Sequence, residues 1–173
     1  MNDTITDPNP TTEPNTGTER SASSERNTGT FERLPDYPIY KPNSRGSGGV
    51  FRFGFSPYKS AVFLEAAPQS GERQFDWDQK IIMKWTLPDL GQALAVLQGR
   101  QPQAKLFHQS EKANSTFELT FRDDPAKAPY LMIVSRQLTE DKTVRKVGIP
   151  LAHGEAAILE TVLRSAVTRL IGW

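Results

Sequence analysis

The stretch GERQFDWDQKIIMKWTLPDLGQALAVL, from Gly71 to Leu97, determines how this chain can fold. It begins with polar residues around a glycine, which is typical of a turn. Residues 74–85 follow as one or two strand segments, in which Ile81, Met83 and Trp85 alternate with Lys80, Ile82 and Lys84. Leucines then recur at helical spacing, at Leu87, Leu90, Leu94 and Leu97. The stretch therefore predicts a turn, a strand and a helix in direct succession.

The ends of this helix are marked by residues with specific terminal preferences. Thr86 is a suitable N-cap residue, and Pro88 is favoured in a first helical turn. Asp89 places a negative charge near the positive end of the helix dipole. Gly99 can adopt the left-handed conformation that commonly ends a helix. The first helix is therefore predicted between Thr86 and Gly99.

The residues before this stretch predict a β-hairpin. Residues 50–55 alternate, so that the three phenylalanines 51, 53 and 55 share one face and Arg52 lies on the other. A turn at Pro57 to Ser60 connects this run to a second strand over residues 60–68. Further upstream, the prolines between Leu34 and Pro42 favour an extended segment, which either lies against the domain or pairs as an edge strand.

The second half repeats the pattern of strands followed by a helix. Alternation predicts strands over residues 104–108, 115–122, 130–138 and 143–150. A long amphipathic helix is predicted from Glu155 to Ile171. Its apolar face consists of Ile158, Leu159, Val162, Leu163, Ala166, Val167, Leu170 and Ile171. The order of strands, helix, strands and helix is an α+β pseudo-repeat, and a face this broad needs sheets or neighbouring subunits to cover it.

The chain divides into a polar tail and a basic domain. Residues 1–36 contain seven acidic and three basic residues, a net charge of −4, and few large apolar side chains, so we predict a disordered acidic tail. Residues 37–173 form the predicted domain, with 18 basic and 13 acidic residues and a net charge of +5. An acidic tail on a basic domain favours binding to a polyanion. The alternative is that such a charge is ordinary for a domain of this size.

Several classes of protein are disfavoured by composition. The chain has no cysteine, which excludes disulfides, thiolate metal sites and a cysteine nucleophile. No apolar run is long enough to span a membrane, and the acidic N-terminus does not resemble a secretory signal or a transit peptide. We therefore expect a cytoplasmic protein, associated with the nucleoid if the source is prokaryotic.

Catalysis and metal binding have weak support. His108 and His153 have no acidic partner at a ligand spacing, so we expect neither a metal site nor a cofactor. An enzyme would require Asp76 or Asp78 to work with Glu72 as general acid and base. Acids in a turn are usually solvated, and we therefore expect a binding protein rather than an enzyme.

Several segments together resemble the Whirly family of single-stranded-DNA-binding proteins. GERQFDWDQK carries a glycine turn, the triplet Phe75-Asp76-Trp77 and a following Lys80. LPDLGQAL resembles the family's first helix, and KLFHQ resembles its Phe-Phe-His-Asp-Pro segment. IPLAHGEAAIL and the closing LIGW resemble the second helix. The resemblance covers about residues 45–173, and extends in fold to trypanosome guide-RNA-binding proteins and, more distantly, to the transcriptional positive-cofactor family.

The resemblance implies a fold and an assembly. It implies two packed antiparallel four-stranded sheets with two helices at one end, and subunits that assemble as tetramers through the helices. It further implies that single strands run along the sheet surfaces. The chain departs from the family at the Lys-Gly-Lys-Ala-Ala-Leu-Ser signature, which is tied to DNA binding and higher assembly. The corresponding stretch here is SRGSGGVFRFGFS, which has no match to the second lysine.

Binding to a single strand needs aromatic platforms for bases and cations for phosphates. The phenylalanines at 51, 53 and 55 share one face and are therefore favoured as core residues, whereas Phe63 shares its face with Glu65 and is expected to be exposed. Trp77 can stack on a base or anchor its turn against the core, and Trp85 is expected in the core. The candidate contact residues are Lys41, Arg45, Arg52, Tyr58, Lys59, Phe63, Trp77, Lys80, Lys84, Arg122, Arg136, Arg145 and Lys146.

These observations predict a homo-oligomeric protein that binds single-stranded DNA with little sequence preference, in DNA maintenance (repair included) or transcription regulation. A single-stranded RNA binder or annealing protein on the same fold is an alternative, because polar groups of many kinds can contact the 2′-hydroxyl. A structural or protein-interaction module that binds no nucleic acid is the alternative from another class.

Overall fold

A computed structural model describes residues 34–172, which contain two antiparallel sheets and two α-helices. The first sheet consists of β1 (Tyr37–Lys41), β2 (Gly49–Ser56), β3 (Ala61–Gly71), β4 (Gln74–Phe75) and β5 (Ile81–Trp85). The second consists of β6 (Gln103–Gln109), β7 (Ala113–Phe121), β8 (Tyr130–Leu138) and β9 (Val144–Leu151). Helix α1 (Leu87–Leu97) separates the sheets in sequence, and α2 (His153–Ile171) follows β9.

This architecture confirms the predicted order of strands, helix, strands and helix. The first sheet has five strands rather than four, because Gln74 and Phe75 form a short strand of their own. Strand β4 pairs with the end of β3, and β5 pairs with its beginning. Strand β1 pairs with β2, so the proline-rich segment takes the edge-strand alternative. The predicted tail over residues 1–36 lies outside the described residues, except for residues 34–36.

The core lies between the two sheets and beneath the helices. Phe51 and Phe53 are buried as predicted, and Phe55 packs against the core at its margin. Trp85 is 1% exposed, and its ring packs edge-on against Phe53 of the first sheet and Phe117 of the second. The centroid distances are 5.7 Å and 4.6 Å, within the range of favourable aromatic pairs. One side chain therefore joins the two sheets.

Helix α1 is stabilised at its N-terminus by Asp89. Its carboxylate accepts hydrogen bonds from the backbone N–H and the hydroxyl of Thr86, each at 2.8 Å. Gly99 adopts a φ of +69° directly after the helix, which fits its predicted role at the C-terminus. The predicted leucine stripe is buried from Leu90 onward, but Leu87, the first residue of the helix, is 37% exposed.

Helix α2 is only partly covered by the rest of the described chain. Four of its residues are buried: Ala156, Leu159, Leu163 and Ala166. Ile158 and Ile171, which belong to the predicted apolar face, remain about half exposed. The predicted apolar face is therefore broader than the surface that the sheets and α1 cover. Within residues 34–172, neither helix has the length and apolar character that crossing a membrane requires.

The position of Trp85 predicts a large effect on stability. Trp85→Ala should lower the free energy of unfolding by about 3–5 kcal/mol, because it leaves a cavity between the sheets. Ile82→Ala, on the same strand but facing outward, should change it by less than about 1 kcal/mol. Urea unfolding followed by circular dichroism measures both. Equal effects of the two substitutions would contradict the role of Trp85 as the joining residue.

Candidate nucleic-acid interface

The outward surface of the first sheet combines aromatic and charged side chains. Strand alternation, which buries Phe51 and Phe53, turns Arg52 outward. In register, Arg52 lies opposite Glu65, and Phe63 lies opposite Lys84. The 3₁₀ turn between β4 and β5 adds Trp77. We call this surface, formed by Arg52, Phe63, Glu65, Trp77, Lys80 and Lys84, the outer face of the first sheet.

Arg52 is the centre of this face. Its guanidinium carbon lies 4.5 Å from the centroid of the Trp77 ring, a cation–π contact. The same guanidinium donates to the carboxylate of Glu65 and has its Nε 3.7 Å from a carboxylate oxygen of Asp36. Trp77 is half-buried, and therefore both anchors the turn and leaves part of its ring accessible.

Glu65 is held between two cations. Lys80 Nζ lies 3.2 Å from one of its oxygens, and Arg52 donates to the other. Burial acts to raise the pKa of Glu65, but the hydrogen bonds and charges of Arg52 and Lys80 outweigh it and hold the pKa below its usual value. Glu65 is therefore ionised at neutral pH and orients both cations along the sheet.

A concave site lies where the β2–β3 hairpin meets this face. It has a volume of about 450 Å³, and we call it the hairpin cavity. Four predicted contact residues line it together, namely Arg52, Tyr58, Lys59 and Phe63. Tyr58 is 78% exposed in the turn, whereas Phe63 is half-buried and forms part of the wall. Asp36 and Glu65 bring two carboxylates to the same site.

A second depression, the inter-sheet groove, lies between β5 and the second sheet. It has a volume of about 160 Å³ and is lined by Lys84, His108 and Arg136, among others. Arg145 lies opposite Arg136 in register on β9. The Nε of Arg136 is buried, and no group within residues 34–172 accepts a hydrogen bond from it. This donor and Lys84 give the groove a positive character.

His108 joins the groove to helix α1. Its Nε2 lies 3.2 Å from a carboxylate oxygen of Asp89. Burial acts to raise the pKa of Asp89, but hydrogen bonds from Thr86 and His108 lower it overall. His108 therefore has an acidic partner, which its sequence spacing did not reveal.

The remaining predicted residues do not join these two sites. Lys41 faces inward and forms an ion pair with Glu155 at 2.5 Å, linking β1 to α2. Arg45 is exposed in the loop after β1. Arg122 follows β7, at the opposite end of that strand from the inter-sheet groove. Lys146 lies on the outward surface of the second sheet, opposite Ser135.

Among the residues that the structure describes, three exposed aromatic residues were not predicted contacts, namely Tyr40, Phe107 and Phe121. Tyr40 is about half exposed, and its ring centroid lies 5.6 Å from that of Phe75 on the outward side of the first sheet. Phe107 is 58% exposed on the outward side of β6. Alternation alone could have identified Phe107, because Ala104 and Leu106 occupy the buried face of that strand.

The acids considered for catalysis have structural or solvated positions. The carboxylate of Asp76 accepts hydrogen bonds from the backbone N–H groups of Asp78 and Gln79, each at 3.1 Å, and so caps the 3₁₀ turn. Glu72 and Asp78 are exposed. In the part of the chain that the structure describes, no group of three or more His, Asp and Glu side chains is arranged to hold a metal ion.

The fold consists of two antiparallel sheets and two helices, and the outer face of the first sheet mixes aromatic and cationic side chains. The chain belongs to the Whirly family: the family model described as the Whirly transcription factor matches residues 44–162. It is 24% identical over 147 residues to the chloroplastic single-stranded DNA-binding protein WHY1 of maize, Zea mays. This match covers 80% of the chain and 51% of the relative, so the chain spans about half the length of that relative.

Solved structures confirm the fold. WHY3 of Arabidopsis thaliana superposes with a TM-score of 0.66 at 20% identity, covering 81% of this chain and 90% of that one. The trypanosome MRP1/MRP2 structure gives a TM-score of 0.57 at 20% identity, covering 82% and 88%. The predicted resemblance to the Whirly family, with its related trypanosome fold, is confirmed. Family membership supports nucleic-acid binding.

The lowered pKa of Glu65 predicts a pH-dependent contribution to stability. A carboxylate with a lower pKa in the folded state stabilises the fold above its unfolded-state pKa of about 4.3, and this stabilisation is lost as pH falls through the folded-state value. Wild type should therefore melt at a higher temperature than Glu65→Gln at pH 7, and the difference should shrink towards pH 3. Thermal melting across this range measures it, and a difference independent of pH would contradict the ion-pair assignment.

Proposed function

We propose that this protein binds single-stranded DNA as a homo-oligomer, with little overall sequence preference. The observation that supports this most directly is the outer face of the first sheet, where Phe63 and Trp77 lie among Arg52, Lys80 and Lys84. Aromatic rings stack on any base, and cations contact any phosphate, so such a surface tolerates many sequences.

The arrangement suits a single strand better than a duplex. Stacking on Phe63 or Trp77 requires a base whose flat face is accessible, and in a duplex these faces are covered by neighbouring pairs. Lys84 and Arg136 of the inter-sheet groove then contact the phosphate backbone of the same DNA strand. The maize relative's name as a single-stranded DNA-binding protein supports this choice.

RNA is the second candidate ligand. A guide-RNA-binding protein complex bound to a guide RNA shares this fold with a TM-score of 0.57. The outer face consists of aromatic rings and cations, which do not by themselves distinguish ribose from deoxyribose. A protein-interaction module that binds no nucleic acid would instead use the sheet surface for a protein partner.

Assembly through the helices is the second part of the proposal. Ile158 and Ile171 project from α2 on either side of its buried residues. An apolar groove of about 300 Å³ lies along the same helix, between the first sheet and Val162 and Ala166. Isolated subunits would leave this apolar surface in water, and a tetramer joined through α2 would cover it. We also propose that the protein is cytoplasmic, and associated with the nucleoid if the source is prokaryotic. Its proposed role is in DNA maintenance or transcription.

Salt dependence tests nucleic-acid binding. Binding through about four phosphates should give a slope near −3 for log K against log salt on a single strand. Arg136→Ala or Lys84→Ala should each reduce the slope by about 0.7. Fluorescence anisotropy with labelled single-stranded DNA, matched RNA and duplex DNA measures these values.

The control for this experiment is Lys127→Ala. Lys127 pairs with Asp124 in the loop after β7, away from both sites. It should leave the slope unchanged. Absence of binding to all three nucleic acids would contradict the proposed function, and tighter binding to RNA would favour the second candidate.

Assembly is tested by a charge placed on α2. Wild type should have a mass in solution several times the 19.3 kDa of one chain. Ile158→Glu should dissociate the assembly, because a buried carboxylate without a partner is costly. Ala157→Glu, turned by about 100° around the helix, should not. Light scattering after size-exclusion chromatography measures the mass, and a monomeric wild type would contradict the proposal.

A further inference from the structure

A row of polar side chains crosses the inner face of the second sheet at the margin of the core. His108 on β6 lies opposite Ser115 on β7. Ser115 lies opposite Arg136 on β8, which in turn lies opposite Arg145 on β9. Strand alternation places all four on the face that buries Phe117. Polar residues therefore stand where the strand pattern would otherwise continue the core.

Ser115 is the buried member of this row. Among residues 34–172 it is the only polar residue that is buried, with 8% of its surface exposed. Its neighbours on the same face of β7, Ala113 and Phe117, belong to the apolar core. Ser115 lines the inter-sheet groove together with Arg136. A buried hydroxyl is costly without a hydrogen-bond partner, and a ligand in the groove would supply one.

The cations of the groove are not neutralised by acids. In the part of the chain that the structure describes, neither Lys84 nor Arg136 forms an ion pair. On the outer face of the first sheet, by contrast, Arg52 and Lys80 both contact Glu65. The Nε of Arg136 is also buried without an acceptor among these residues, and such a donor is costly. The groove therefore favours an anion with several acceptor oxygens.

Two carboxylates lie near the ends of the row and not at its middle. Asp89 contacts Nε2 of His108 at 3.2 Å. At the other end, the exposed Asp141 lies close enough to Arg145 for their charges to interact. Each acid is thus associated with a terminal residue of the row. The two middle residues and Lys84 provide the donors for a ligand.

The groove has room for a phosphate group but not for a whole nucleotide. Its volume of about 160 Å³ is roughly that of five waters. One wall is formed by Ile82 and Met83 of β5, and the other includes Ser110 and Ala113 at the β6–β7 connection. An internal phosphate carries a sugar on each side, whereas a terminal phosphate carries only one. A phosphate at a strand end therefore meets less obstruction from these walls.

A terminal phosphate also matches the donors of the groove better than an internal one. A phosphate monoester carries a charge of about −1.5 to −2 at pH 7 and three strong acceptor oxygens. An internal diester carries less charge and one terminal oxygen fewer. A guanidinium fork, an ammonium group and a hydroxyl can together satisfy the oxygens of a monoester.

We infer that the inter-sheet groove is a phosphate monoester site that receives the phosphorylated end of the bound strand. Arg136 contacts the phosphate as a fork, after a small rotation that brings Nε to the ligand. Ser115 donates its hydroxyl, and the exposed Lys84 adds a further cation. This inference rests on the proposed binding of single strands, and adds a preference for one kind of strand end to the phosphate contacts of the groove.

The test uses the full-length protein and dT oligonucleotides of one binding-site length, with a fluorescent label on an internal residue so that both ends are free. One carries a 5′-phosphate, one a 3′-phosphate, and one hydroxyl groups at both ends. A phosphate at the 5′ or the 3′ end should tighten binding about tenfold, as expected for hydrogen bonds to a charged group. The preferred end then gives the direction of the strand across the protein.

A matched oligonucleotide separates the monoester from added charge. A hydroxyl-ended oligonucleotide longer by one nucleotide has the same number of phosphates as the phosphorylated ones, but all of them are diesters. It should bind nearly as weakly as the shorter hydroxyl-ended strand. Fluorescence anisotropy at one salt concentration measures the whole series.

Variants then assign the preference to the groove. Ser115→Ala and Arg136→Gln should each reduce the ratio of phosphorylated to hydroxyl-ended affinity towards one. Lys146→Gln is the control, because Lys146 lies on the outward surface of the same sheet. It removes one positive charge, as Arg136→Gln does, and should leave the ratio unchanged. The oligonucleotide series on wild type remains decisive if a variant fails to fold.

The outcomes separate the inference from the function on which it rests. Tight binding with all end groups equal within twofold would overturn the monoester site and leave the proposed function standing. An end preference that survives both Ser115→Ala and Arg136→Gln would also overturn it. Absence of binding to every oligonucleotide would instead contradict the proposed function itself.

Discussion

The packing of Trp85 between Phe53 and Phe117 is the contact on which the rest of the structure depends. Trp85 ends β5, lies directly before the capped start of α1, and reaches both sheets. Because these aromatic rings fill the space between the inner faces, the outward faces are left for solvent and ligands. Strand β5 also carries Ile82 and Lys84, which line the inter-sheet groove with residues of the second sheet.

Alternation along β2 places core residues on one face of the strand and Arg52 on the other. Phe51 and Phe53 bury themselves in the core, and Arg52 between them is turned to the opposite side. The outward position places Arg52 within reach of Trp77, Glu65 and Asp36. Its geometry is therefore set by contacts from three separate segments, and a guanidinium held in this way loses less conformational freedom on binding than an unrestrained side chain.

The mixture of charges on this face has consequences for affinity. Arg52 and Lys80 share the carboxylate of Glu65, so part of their attraction for phosphates is already offset within the protein. Lys84 and Arg136 in the inter-sheet groove are the stronger candidates for phosphate contacts. In the proposed function, bases contact the first sheet and the phosphate backbone contacts the inter-sheet groove.

Much of the fold was predictable from the sequence because its patterns are local. The strand β8 and the first helix were placed within a residue or two, since alternation and capping depend on neighbouring residues. The sequence did not distinguish the two-residue strand of Gln74 and Phe75 from β5, because alternation cannot be recognised over two residues. Leu87 follows the helical spacing of the core, but it is the first residue of the helix and is partly exposed.

The site was predicted less completely because it depends on contacts between distant segments. Residue type alone identified Arg52, Tyr58, Lys59 and Phe63, which do come together at the hairpin cavity. Nothing in the spacing of Lys41 showed that it pairs with Glu155, more than a hundred residues away in the chain. The contacts of Asp36 and Glu65 with Arg52 were missed for the same reason. Whether a carboxylate pairs with a cation can be judged only when its neighbours in the fold are known.

Photocrosslinking tests most directly whether the outer face of the first sheet carries the strand. Single-stranded DNA containing 5-iododeoxyuridine is irradiated with the protein, and the crosslinked peptides are identified by mass spectrometry. We expect crosslinks at Tyr58, Phe63 or Trp77, because these rings lie where bases would stack. Crosslinks confined to Phe107 or Phe121 of the second sheet would contradict this account.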